Sequence, residues 1–233
     1  MNFLVLLSLA LAPGIAIAIY IYLKDRHERE PIKLLLMSFF YGVLSTIITL
    51  LISWPLTKSV SIDPTSISDQ FINAFFLVAL VEEFSKFLFV RFILYNNKNF
   101  NEPFDGIVYA LMVSMGFATL ENVLYTFQYG VTTGVLRMFT AVPAHATFGI
   151  LMGYFLGLAK FTHRRELYYA FLALLVATLF HGAYDYFWFI NYVPGVWIGA
   201  IVSLIVGVIL SKKAIGLHQS ISPFNQNKTD LSV

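Results

Sequence analysis

The stretch FINAFFLVALVEEFSKFLFVRFILY, residues 71–95, decides how this chain is read. It is long enough to cross a bilayer as a helix, yet Glu82, Glu83 and Lys86 fall within five residues of one another near its middle. Each such charge near the bilayer centre costs about 2.5 to 3.5 kcal/mol on insertion scales, so three together require partners or a wet cavity. At ~100° per residue, Glu82 and Lys86 share one helix face with Glu83 close beside it. The lysine can therefore neutralise one carboxylate and leave the other for chemistry. A buried ion pair that only holds helices in register would need one carboxylate, and here there are two.

The flanking sequence has the same character. Of 233 residues 58% are hydrophobic and 12% charged, mean hydropathy is +0.76, and apolar runs of about 20 residues recur, which specifies an all-α polytopic membrane protein. The runs lie at about 3–23, 32–51, 71–95, 104–129, 135–159, 167–190 and 196–210, giving about seven transmembrane helices in a single catalytic domain over residues 1–210. Residues 211–233 read as a polar cytoplasmic tail, expected to be disordered. The first run is followed, not preceded, by charge, so it reads as a retained helix and not as a cleaved signal peptide. A net charge of +2 with no long Lys/Arg stripe argues against a nucleic-acid partner. The absence of cysteine removes disulfides, thiolate nucleophiles and Cys-type zinc sites.

Lys and Arg sort by loop parity. Twelve lie after helices one, three and five and in the tail, whereas the opposite side holds only Lys58 and Arg137, so the positive-inside rule places the N-terminus out and the C-terminus in. Counting inward at ~1.5 Å per residue puts Glu82, Glu83, Glu121, His145 and His181 at similar depth in the outer half of the membrane. Polar residues in spans face the bundle interior, so one convergent cluster from four helices is the economical reading. Asp185 lies one turn beyond His181 on the same face, where it can orient the imidazole. Gly149, Gly153 and Gly157 follow His145 at four-residue steps, a smooth face for close helix contact. Asp105, near the cytoplasmic end of helix four, reads as interfacial.

The motifs Glu82-Glu83-x-x-Lys86, Phe117-x-x-x-Glu121-Asn122, His145-x-x-x-Gly149 and His181-x-x-x-Asp185, each on its own apolar helix and in this order, resemble the PrsW family of intramembrane proteases. They are more distantly similar to the CAAX prenyl endopeptidases. The resemblance implies peptide-bond hydrolysis within or at the edge of the cell membrane of a bacterium, on a single-span, membrane-anchored substrate such as an anti-sigma factor cut at its first site. It implies Glu82 or Glu83 as general base and His145 and His181 as groups that polarise the carbonyl, stabilise the oxyanion or hold a metal, with Lys86, Glu121, Asn122 and Asp185 in support. A carboxylate between apolar walls suits the base role. Glu121 stands where the CAAX endopeptidases carry histidine, so their metal-free mechanism does not transfer directly.

Cofactor use stays open on these residues. Glu121, His145 and His181 form a two-His, one-carboxylate set that matches a zinc site with an open fourth position. Lys86 lies among the same groups and disfavours a second cation, which favours a metal-free glutamate mechanism. Two other classes are weighed. A proton- or cation-coupled transporter would bury similar residues but calls for internal repeats or broken helices in matching halves, and none are found here. A non-catalytic membrane interaction protein is disfavoured because no motif position is missing.

Overall fold

The computed structural model describes residues 3–225, and among these every regular element is helical. The helices are α1 (Phe3–Lys24), α2 (Ile32–Ser59), α3 (67–94), α4 (Pro103–Tyr129), α5 (Val131–Phe139), α6 (Ala141–Phe161), α7 (Glu166–Phe189) and α8 (Ile198–Ile221). Six spans are long and apolar enough to cross a membrane, with α5 and α6 acting as one of them. The charged α3 is the seventh membrane helix. It is continuous, but Asn73–Ala79 and Val90–Leu94 are wound as π-helix on either side of an α-helical Leu80–Phe89.

The centre of the bundle is α4, in which every residue from Pro103 to Thr119 is buried. A helix apolar on all sides is stable only when surrounded, and α1, α2, α6 and α8 surround it. Close approach is possible because the contact residues lack side chains. A Cβ on Gly42 of α2 would sit 1.9 Å from the Val113 carbonyl oxygen, and one on Gly116 would sit 1.8 Å from that of Phe39. On the other side the expected smooth face is in use: Gly149 meets Ser114 and Ala110, Gly153 meets the Gly106 backbone, and Gly157 meets that of Pro103. The outer faces of α1, α2 and α8 stay exposed and apolar at residues such as Leu4, Phe40, Leu51 and Ile205, which is the surface a bilayer covers.

Several boundaries differ from expectation. Helix two does not end at Leu51 before Trp54 and Pro55 but runs to Ser59. Pro55 removes one donor, and the hydroxyls of Thr57 and Ser59 bond back to the Ser53 and Pro55 carbonyls beyond it. Helix three starts at Ile67, where Ser66 caps it by accepting the Asp69 N–H, so the loop shrinks to 60–66. The outer loop expected at 129–134 is a single junction at Gly130, whose φ of +87° suits glycine. Thr140 then breaks the fifth span into α5 and α6, and Pro143 lies in the first turn of α6, where its missing N–H costs nothing.

The expected tail is partly structured. α8 continues through Ile221, because Ala214, Ile215 and His218 keep a buried face and His218 stacks on Tyr154 at 4.5 Å. Residues 226–233 of that tail lie outside the described residues. Asp105 is fully buried, its Oδ2 accepting the Asn101 and Glu102 N–H groups at the start of α4.

Candidate active site

A pocket of about 260 Å³ opens between the α5–α6 junction, α3, α4 and α7, and Glu82, Glu121, Arg137, His145, His181 and Asp185 all reach its wall. At ~30 Å³ per water it has room for several waters. Glu83 and Lys86 are not on that wall. They lie behind it, fully buried, so adjacent glutamates of one helix have separate environments.

The partition follows from where the charges are spent. Lys86 Nζ is 2.7 Å from Glu83 Oε1 and 3.7 Å from Glu82 Oε2, and it rests 3.9 Å from the centre of the Phe117 ring. Glu83 Oε1 also meets His181 Nδ1 at 2.8 Å. Glu82 Oε2 is buried and has no hydrogen bond. Lysine therefore neutralises Glu83 chiefly, and Glu82 is the carboxylate turned to the pocket.

The two imidazoles stand perpendicular, 5.0 Å apart, with Phe148 stacked on His181 at 4.7 Å. His181 is fixed at both nitrogens, Nδ1 by Glu83 and Nε2 by Asp185 Oδ2 at 3.2 Å, with Glu82 Oε2 at 3.8 Å. The Asp185 contact is the one its i, i+4 spacing anticipates. His145 Nδ1 lies 3.2 Å from Lys86 Nζ, and an ammonium only donates, so Nδ1 accepts. The proton then sits on Nε2 and is donated to Glu121 Oε2 at 2.9 Å. Ser114 pins the same residue by donating to its backbone carbonyl at 2.6 Å. Close α4–α6 packing and the position of His145 thus have one cause, the small residues at 110, 114 and 149.

Among the described residues, Glu121 is not in the group of ligand atoms that come together at the pocket. Its Oε2 is taken by Arg137 at 2.7 Å, and the group of ligand atoms within 4.8 Å of one another is Glu82, His145 and His181. Arg137 is the residue that sequence reasoning missed, being counted only with the outer-side charges at the start of the fifth run. Its Nε donates to Asn122 Oδ1 at 3.2 Å while Asn122 Nδ2 donates to the Ala10 carbonyl at 3.0 Å, so one arginine joins α5, α4 and, through Asn122, α1. The available signal was a lone arginine inside the apolar segment VTTGVLRMF, where an unpaired charge is expensive.

Comparisons with known proteins identify the family. A family model described as PrsW family intramembrane metalloprotease matches residues 30–211. Proteins named Protease PrsW from Geobacillus kaustophilus and Bacillus subtilis are 40% and 38% identical over 182 residues, covering 78% of this chain and 78% and 81% of theirs. That of Clostridioides difficile is 35% identical over 213 residues, 88% of this chain and 86% of its own. No solved structure gives a significant match. The chain belongs to the PrsW family and is an intramembrane protease, a multi-pass protein of the cell membrane.

Proposed function

We propose that this protease cuts a single-span, membrane-anchored protein of the anti-sigma-factor kind by direct attack of water, with Glu82 as the group that takes the proton. The observation that carries this reading is Glu82 on the pocket wall, its buried Oε2 without a hydrogen bond and no nearer than 3.7 Å to Lys86 and 3.8 Å to His181, beside a Glu83 engaged by both at 2.7 and 2.8 Å. Glu82 accepts a proton as the water oxygen bonds to the scissile carbonyl carbon, and returns it to the nitrogen as the C–N bond breaks. His181 Nε2, 3.2 Å from Asp185 and 3.8 Å from Glu82, is the donor that would turn from its carboxylate to the oxyanion, while His145, held by Glu121 and Lys86, stands beside it at the wall. Apolar Phe148, Tyr184 and Trp188 complete the wall and limit water to the reacting layer.

The family description implies a metal, and the donor set fits one. Glu82, His145 and His181 each offer a ligand atom within 4.8 Å of the others, all three are buried, and Glu82 Oε2 is bare. These three would hold it, and a bound zinc would supply a water of pKa about 7 and a charge to polarise the carbonyl. The Lys86 ammonium at His145 Nδ1 competes for that nitrogen, which favours the metal-free reading.

Orientation follows from charge. The pocket lies at the end of the bundle bearing Gly130 and the 190–197 turn, and Lys24, Arg91, Lys98, Lys160 and Arg164 gather at the other end, so by the positive-inside rule the pocket opens toward the outer face. The test is reconstitution of the purified protein with a single-span substrate, followed by mass mapping of the products. A cut near the external end of the span is expected. A cut near the cytoplasmic end would overturn the placement.

A further inference from the structure

At the opposite end of α4 from the pocket, ~24 Å along the helix from Glu121, five carboxylates converge. Asp25, Glu28 and Glu30 come from the α1–α2 loop, and Glu102 and Asp105 from the start of α4. Four of them are at most 2% exposed, and half-buried Glu28 forms the side open to water. Among the described residues no Lys, Arg or His nitrogen lies within 4.0 Å of any of the five. Three of the nearby cations are engaged elsewhere, and His27 faces Glu102 from beyond that distance. Lys24 lies over the Tyr20 ring, Arg29 over Tyr22, and Lys160 donates to the Tyr95 carbonyl and covers Phe100.

The carboxyl oxygens divide in a regular way. Asp25 Oδ2 accepts the Glu30 N–H, Glu30 Oε2 accepts the Tyr109 hydroxyl, and Asp105 Oδ2 accepts the Asn101 and Glu102 N–H groups. The second oxygen of each, Asp25 Oδ1, Glu30 Oε1 and Asp105 Oδ1, is buried with no hydrogen bond, as is Glu28 Oε2, while the Glu102 side chain turns to the Asp105 N–H in a capping box. Glu28, Glu30 and Asp105 bring one oxygen each within 4.8 Å of the others. One oxygen is held by the fold and the other left bare, which is how carboxylates are set to ligate. Buried anions with no protein cation demand a neutralising partner.

We propose that this cluster binds a hard divalent cation, Ca²⁺ in preference to Mg²⁺, with Glu28, Glu30 and Asp105 as ligands and Asp25 and Glu102 adding negative charge. The trio is all oxygen, which selects against metals that favour nitrogen or sulfur. Ca²⁺ takes six to eight oxygens in flexible geometry, whereas Mg²⁺ needs a near-ideal octahedron and keeps its waters, so a crowd of five carboxylates on two separate segments suits Ca²⁺. The ion fastens the α1–α2 loop to the central helix whose far half carries Glu121 and Asn122. It shares no residue with the pocket and stands independently of the mechanism proposed there.

The test is calorimetric titration of the purified full-length protein in detergent with CaCl₂ and with MgCl₂, alongside thermal unfolding. One saturable Ca²⁺ per chain, tighter than Mg²⁺ and raising the melting temperature, is expected. Glu28→Gln, at the open side and therefore mild for the fold, should weaken Ca²⁺ at least tenfold, and Glu82→Gln should leave it unchanged. No saturable binding at millimolar Ca²⁺ would overturn the proposal, leaving protons as the neutralising partner. Binding lost in Glu82→Gln but kept in Glu28→Gln would also overturn it, by placing the ion in the pocket.

Discussion

Lys86 Nζ donates to Glu83 Oε1 at 2.7 Å with both groups fully buried, so the pair is a structural element of α3 rather than part of the pocket wall. Glu83→Gln leaves Lys86 with Glu82 at 3.7 Å as its one remaining carboxylate partner, and breaking a buried pair costs on the order of 3 to 5 kcal/mol. We expect a clear fall in melting temperature and in the amount of protein in the membrane. A Glu83→Gln protein as stable as wild type would show that the pair contributes nothing.

Arg137 holds Glu121, and Glu121 holds His145. Arg137→Gln should lower cleavage roughly 10- to 100-fold, the range seen when a group that orients a working histidine is removed. Arg137→Lys should not restore it, because a single ammonium cannot replace a planar fork that reaches Glu121 and Asn122 together. Initial rates at matched protein levels check both.

Gly42→Ala forces a Cβ to within 1.9 Å of the Val113 carbonyl oxygen, and backbone cannot step aside as a side chain can. A loss of about 1 to 3 kcal/mol is expected from the displaced α2–α4 contact. Gly216→Ala, where nothing lies within 4 Å, is the control and should leave the melting temperature unchanged or slightly raised.

Metal content separates the two readings of the pocket. With Lys86 at His145 Nδ1, the purified protein is expected to cleave after chelation and to carry no stoichiometric zinc or other transition metal by elemental analysis. Stoichiometric zinc, with activity lost on its removal and restored on its return, would assign Glu82, His145 and His181 as ligands instead.

The motif-bearing helices were legible in the sequence because charge inside an apolar run is expensive and therefore informative. The division of labour between Glu82 and Glu83 was not. Adjacent residues point ~100° apart, and which one faces the pocket depends on helix phase, which the π-wound segments on both sides of Leu80–Phe89 alter. Arg137 escaped because one charge near an expected helix end looks the same as a loop residue, and the break at Thr140 that folds α5 over the pocket has no sequence mark beyond Pro143. The end of α8 was misjudged for a related reason. Ser211, Lys212 and Lys213 lower the hydropathy while Ala214, Ile215 and His218 continue a buried face, which is a tertiary fact. Asp25, Glu28 and Glu30 lay in the charged stretch after helix one, and nothing local shows that α4 brings Glu102 and Asp105 to meet them.

The most direct test of the account is cleavage of a reconstituted single-span substrate by Glu82→Gln. Glutamine keeps the shape of the side chain and removes the proton acceptor, and Glu82 makes no hydrogen bond through Oε2 that its loss would break. The account requires that this variant melt close to wild type and form no product, at least about 10²-fold below wild type for loss of a general base. Cleavage by folded Glu82→Gln at the wild-type rate would contradict it.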